Sequence, residues 1–142
     1  MNRVLFVCVH NAGRSQMAAA FARILGVRRV EAASAGTEPA GAIHPVVVEA
    51  MREKGIEIAG NRPRMLTQGL VDAANRVHKM GCSIAESCPA IFVQAEDWAL
   101  DDPPGQPIET VRRIRDDTET RVRAMIEELN STPGGLCQRT PC

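Results

Sequence analysis

The 142-residue chain has no tyrosine, one tryptophan, three phenylalanines and no net charge, its 17 basic side chains balancing 17 acidic ones. Without a basic surplus there is no general field to draw it to nucleic acid or an anionic membrane. Any anion it binds must be held by a local site. The chain also lacks anything near the ~18 consecutive apolar residues that span a bilayer. The apolar start after Met1-Asn2-Arg3 is too short for a secretory signal with its cleavage site. A cytoplasmic location is expected, where thiols stay reduced. Neither repeats nor a linker precede Ser131. The five cysteines, Cys8, Cys82, Cys88, Cys137 and Cys142, are an odd number that fits a structural disulfide framework poorly. Catalysis, redox cycling or metal binding suit that compartment better.

Val4 to Val9 is an unbroken apolar run, the pattern of a strand buried on both faces. It stops at His10-Asn11-Ala12-Gly13, a loop of turn formers. Ser15 opens a helix with Met17, Phe21, Ile24 and Leu25 on one face, closed by Gly26. Val30 to Ala35 reads as a second strand. Pro45 starts a second helix with Val46, Val47, Ala50 and Met51 for its buried face. Gly60 to Gly69 reads as loop with a helical turn, and Val77 to Met80 as a third strand. Ile91–Val93 or Trp98–Leu100 supplies a fourth. Val111, Ile114, Val122, Met125, Ile126 and Leu129 mark one stripe of a long helix from Ile108. This alternation predicts a single-domain α/β three-layer sandwich, a four-stranded parallel sheet with helices on both faces. The domain is expected over 1–130, with 131–142 as a disordered tail.

In such a sheet ligands bind beyond the carboxyl ends of the strands, where the first loop carries Cys8 and, six residues on, Arg14. Backbone N–H groups of Val9, His10, Asn11, Ala12, Gly13 and Arg14 can curl around one oxyanion, and Gly13 permits close approach. The positive end of the following helix adds to that field. Arg14 can grip two oxygens with its fork of donors. The same field favours the thiolate of Cys8, and Ser15 is placed to donate to its sulfur. Asn11 tolerates a left-handed turn and sets the loop's shape; the side chain of His10 is expected at solvent or in local packing. A buried strand-end cysteine is the plain alternative, but the leading strand, Gly13, Ser15 and the immediate helix together meet each condition for an anion cradle.

Cys82 and Cys88 follow the third strand on a loop able to reach the first. Their presence suggests that thiol–disulfide exchange completes turnover. Two unrelated buried thiols, or a zinc site with His78 and the tail thiols, stay open as other readings. Asp101-Asp102-Pro103 places a carboxyl group for general acid work, or forms a surface turn. Trp98 is read as packing.

The segments Val-Cys-Val-His-Asn-Ala-Gly-Arg-Ser-Gln-Met-Ala at 7–18, Ser-Ala-Gly-Thr at 34–37, His-Pro at 44–45, the Cys82/Cys88 segment and Trp-Ala-Leu-Asp-Asp-Pro at 98–103 resemble the arsenate reductases built on the low-molecular-weight tyrosine phosphatase fold. The resemblance runs to about Leu129. It implies that Cys8 attacks arsenate while Arg14 and the loop amides hold the oxygens. Asp102, the acid before Pro103, would protonate the departing hydroxide. A Cys8–Cys82 disulfide would then give way to Cys82–Cys88, presented to thioredoxin, with no metal or organic cofactor. Gly13 stands where many relatives carry cysteine or serine. Ala19 stands where some carry a glutamate that helps bind potassium, and Arg62-Pro63-Arg64 is basic, which argues against that cation here. Mycothiol or glutathione with glutaredoxin are alternative reductants.

The rivals are a phosphatase of the same fold and a non-enzymatic arsenite or metal binder using Cys82, Cys88, Cys137 and Cys142. Phosphatases of this kind carry tyrosines beside the acid loop, and this chain has none. The expected partners are arsenate, with phosphate or sulfate as analogue, and thioredoxin. Nucleic acid and membrane are not among them, and a monomer is expected.

Overall fold

A strand that is apolar at every position needs a neighbour on each side and a layer on each face. In a computed structural model of the chain, which describes residues 2–80, 96–97 and 105–130, β1 (Asn2–Cys8) has both. It lies between β2 (Val30–Gly36) and β3 (Arg76–Lys79), all parallel. The sheet order is β2-β1-β3-β4, with β4 the two-residue Glu96–Asp97 pairing with His78 and Lys79. That pairing lies between the two segments expected to supply a fourth strand, 91–93 and 98–100, both outside the described residues.

Alternate side chains of β1 enter two separate cores, as the two-residue period of a strand requires. Val4, Phe6 and Cys8 join the larger one, with α1 (Arg14–Leu25), α2 (Pro45–Arg52) and α4 (Ile108–Asn130). Leu5 and Val7 join a smaller one with Ala35, Leu66 and Val77, against Leu70 and Val71 of α3 (Gln68–Ala73). Helices thus cover both faces of the parallel sheet, unequally. Parity alone puts Cys8 on the face that α1 covers.

Helix α1 begins at Arg14 and its last carbonyls are closed by Gly26, whose N–H bonds Ala22 O at 2.9 Å. Met17 and Phe21 are buried as expected, but Ile24 is 54% exposed. The burial falls on Ala18, Ala19, Ala20 and Ala22 instead; small side chains let the helix lie close between the sheet and α4. In α2 the buried positions are Val47, Val48, Ala50 and Met51, with Val46 half-buried. Residues 59–67 are loop, and the helical turn expected within Gly60–Gly69 begins at Gln68, capped by Thr67 accepting from Leu70 N at 3.1 Å. The stripe of α4 is buried at Val111, Ile114, Val122, Met125 and Ile126. Among the described residues no helix is long and apolar enough to cross a membrane.

Candidate active site

The loop leaving β1 is held from behind, by its carbonyl groups. Cys8 O accepts from Thr37 N (3.2 Å), Val9 O from Glu38 N (2.7 Å), His10 O from Ala40 N (2.9 Å), Ala12 O from His44 N (3.0 Å) and Gly13 O from Met17 N (3.0 Å). Asn11 O accepts from Gln16 Nε2 at 3.1 Å. In a planar trans peptide the C=O and the following N–H point in opposite directions. Six carbonyls tied to the segment after β2 and to α1 therefore turn the N–H groups of residues 9–14 to the other side. Among the described residues, the N–H groups of His10, Ala12 and Gly13 have no protein acceptor. A set of convergent amides at a helix start is an anion site. Arg14, the first residue of α1, is 5% exposed beside it.

At the head of this loop Cys8 is 2% exposed and its sulfur has two close polar neighbours. Ser15 Oγ lies at 2.9 Å, and Asn11 N donates to the sulfur at 3.3 Å. Which of Cys8 and Ser15 carries the shared proton follows from the next shell. Arg64 N, a donor without ambiguity, bonds Asn11 Oδ1 at 2.9 Å, and Gln16 Nε2 reaches the same oxygen at 3.3 Å. The amide nitrogen of Asn11 must then face Ser15, and it donates to Ser15 Oγ at 2.8 Å. With that lone pair taken, the Ser15 proton is best aimed at Cys8 Sγ. The sulfur thus has two hydrogen-bond donors aimed at it. Asn11 has φ 51, a left-handed turn that L residues other than Asn and Gly adopt at a cost.

Sequence reading found Cys8, Arg14, Ser15 and the loop 9–13, and the structure brings these together. His10 contributes backbone; its side chain is exposed and meets His44 edge-on, with ring centroids 6.5 Å apart. Four supports were not foreseen in these roles: Gly36, Gln16, Asn61 and Arg64. A Cβ at Gly36 would sit 2.5 Å from Val9 O and 2.9 Å from Asn11 N, so only glycine lets the end of β2 press against the loop. Asn61 Nδ2 donates to Gln16 Oε1 at 3.4 Å, holding the amide that bonds Asn11. Gly36 and Gln16 were visible within the quoted segments; Asn61 and Arg64 gave no local signal. Cys82, Cys88, Trp98, Asp101, Asp102, Cys137 and Cys142 lie outside the described residues.

The family model described as "Low molecular weight phosphotyrosine protein phosphatase" matches residues 3–133. A Halobacterium salinarum protein named "Putative arsenate reductase" is 46% identical over 130 residues, 88% of this chain and 91% of that relative. A Synechocystis sp. protein named glutaredoxin arsenate reductase is 34% identical, covering 92% of this chain and 100% of its own. Among solved structures, "An arsenate reductase in the phosphate binding state" superposes with a TM-score of 0.77 at 32% identity, over 91% of this chain and 99% of that one. The YwlE arginine phosphatase from Geobacillus stearothermophilus gives 0.78 at 32% identity, over 92% and 94%.

Proposed function

The chain belongs to the low molecular weight phosphotyrosine protein phosphatase family, and from that premise we propose that it is an arsenate reductase whose nucleophile is Cys8. The observation that carries the reading is the sulfur of Cys8, which accepts from Asn11 N and faces Ser15 Oγ at the head of a loop whose carbonyls are all engaged behind it. The names of the Halobacterium and Synechocystis relatives favour arsenate over a phosphoester.

In this scheme arsenate rests on the amides of residues 9–14, with Arg14 countering its charge. The Cys8 thiolate attacks arsenic, an S–As bond forms, and a hydroxide leaves, protonated by Asp102. Cys82 then attacks Cys8 Sγ. The electron pair of the S–As bond returns to arsenic, which departs as arsenite, and a Cys8–Cys82 disulfide remains. Cys88 attacks Cys82 and frees the Cys8 thiolate. The Cys82–Cys88 disulfide is reset by an external dithiol, which supplies the two electrons arsenic has taken. Thioredoxin is the reductant proposed; the Synechocystis relative's name makes glutaredoxin the alternative to be tested beside it. No metal or organic cofactor takes part.

A second reading has one observation in its favour. The arginine phosphatase shares the fold at an identity equal to that of the arsenate reductase structure, and the cradle described suits either tetrahedral anion. Hydrolysis would resolve the Cys8 adduct with water and leave Cys82 and Cys88 idle. The experiment is arsenate-dependent NADPH oxidation with thioredoxin and its reductase, repeated with glutathione, glutaredoxin and glutathione reductase. Cys8→Ser, Cys82→Ser and Cys88→Ser are each expected to abolish turnover with thioredoxin. Full turnover by Cys88→Ser with thioredoxin would end the three-thiol scheme. Phosphatase activity lost only in Cys8→Ser, with no arsenate turnover by the parent, would favour hydrolysis.

A further inference from the structure

Strand β2 is the free edge of the sheet, so the carbonyls of Ala32 and Ser34, two residues apart, point away from β1. Each is met by a guanidinium: Arg23 Nε donates to Ala32 O at 3.3 Å and Arg64 Nε to Ser34 O at 3.1 Å. These bonds alone would be ordinary protection of a sheet edge. The two side chains, however, also line a cavity of about 320 Å3 together with Arg62, Gln16, Ser34 and Asn61. Among the described residues no carboxylate lines it. Among the described residues none of the three arginines has an ion-pair partner, and no further hydrogen bond of their side chains is seen. Burial, and then the like charge of Arg64, hold the Arg23 pKa below its ordinary value. Several arginines elsewhere are paired with carboxylates, as Arg52 is with Glu57 and Arg112 with Glu53. Here the chain gathers three without a counter-charge. Ser34, only 6% exposed, adds a hydroxyl to the lining.

We propose that this cavity is a second binding site for a small tetrahedral oxyanion, inorganic phosphate or sulfate, separate from the loop at Cys8. Each guanidinium commits only its Nε where it is bonded at all, leaving forked donors suited to two oxygens of such an anion. The anion would relieve the repulsion between Arg23 and Arg64. The site backs onto the catalytic loop without sharing its amides: Gln16 and the Arg64 backbone both bond Asn11. The inference stands on charge and geometry and is independent of the reaction at Cys8.

Calorimetric titration of the whole chain with inorganic phosphate tests it. The parent is expected to bind phosphate at two sites. Arg23→Gln/Arg62→Gln is expected to weaken one of them roughly a hundredfold, about tenfold for each charged partner lost. Protection of Cys8 from alkylation by phosphate reads the loop site separately and should be unchanged in that variant, which also shows that the variant is folded. Arg14→Ala should lose the loop site and keep the other. A single phosphate site in the parent, or two sites unaffected by Arg23→Gln/Arg62→Gln, would overturn the proposal.

Discussion

The loop at Cys8 and the seam between α2 and α4 are both dense in polar contacts, and they are built on opposite principles. The loop uses buried backbone amides and neutral side chains, each bond reaching one chosen atom. The seam uses charge. Glu53, just past α2, accepts from Arg112 at 2.7 and 2.9 Å and from Arg115 at 2.8 Å, while Arg115 also donates to Ala50 O at 2.9 Å. Lys54 and Arg123 share Glu119. Apart from those of the buried Arg115, these are at least partly exposed pairs, which tolerate movement and contribute little apiece. A loop that must hold several N–H groups on one anion tolerates almost none, since small misplacements of reacting groups cost large factors in rate. The site is therefore fixed by bonds whose loss changes geometry, and the seam by bonds whose loss changes only stability.

The largest effect that would break this contrast is at Asn11. Asn11→Ala removes the amide that aims Ser15 and places a Cβ-bearing residue without a polar side chain at φ 51. Arsenate turnover is expected to fall roughly a hundredfold, the scale of a lost oxyanion-type donor, while the unfolding free energy falls by about 1–2 kcal/mol. Asn11→Gly keeps the backbone and should recover stability but not rate. If Asn11→Gly is fully active, the loop is shaped by its backbone alone. Next comes Gly36→Ala, whose Cβ meets Val9 O. Here about 1–3 kcal/mol of destabilisation is expected from overpacking, together with loss of phosphate protection of Cys8 against alkylation. Stability lost with protection intact would mean that the loop adjusts more easily than its hydrogen bonds suggest.

Glu53→Gln should leave activity untouched. Its hydrogen bonds to Arg112 and then Arg115 hold its carboxyl down to about 2. A carboxylate whose pKa is depressed on folding contributes stability that is complete above its unfolded value, about 4.3, and is lost as pH falls toward the folded one. Thermal unfolding of the parent should therefore decline between about pH 4.5 and 2 more steeply than that of Glu53→Gln. Equal slopes would show that the seam does not couple to protonation. The smallest effect sharpens the difference between the two faces of the sheet. Thr67→Ala removes the cap of the six-residue α3 and is expected to cost about 1 kcal/mol without altering Cys8 alkylation.

What could be read from the sequence follows the same division. Cys8, the loop and Arg14 are contiguous, so one strand, one turn and one helix signal located the site. The supports arrive from 28 to 53 residues away: Gly36 against Cys8, Arg64 on Asn11, Leu66 on Gly36. Only the folded sheet juxtaposes them, and a lone Asn61 or Arg64 in a polar loop has no periodicity to mark it. Ile24 misled because an apolar residue at helical spacing was assigned to the core, whereas the run of alanines in α1 lets the backbone itself approach its neighbours. The two paired residues of β4 are too short for a period-two pattern, and the segments expected to supply a fourth strand, 91–93 and 98–100, lie outside the described residues.

The dependence of the loop on Arg64 also has a consequence in time. Cys8 is made before Arg64, so Asn11 is not pinned until Arg64 has followed, and Val7 O does not gain Met80 until later still. Domains fold as units while synthesis proceeds at about 5–20 residues per second. For several seconds on that scale, the loop at Cys8 lacks the Arg64 bond that pins Asn11. The loop at Cys8 is thus completed only by translation of a segment far downstream, and a chain that stops before Arg64 carries the cysteine without the bond that pins its loop.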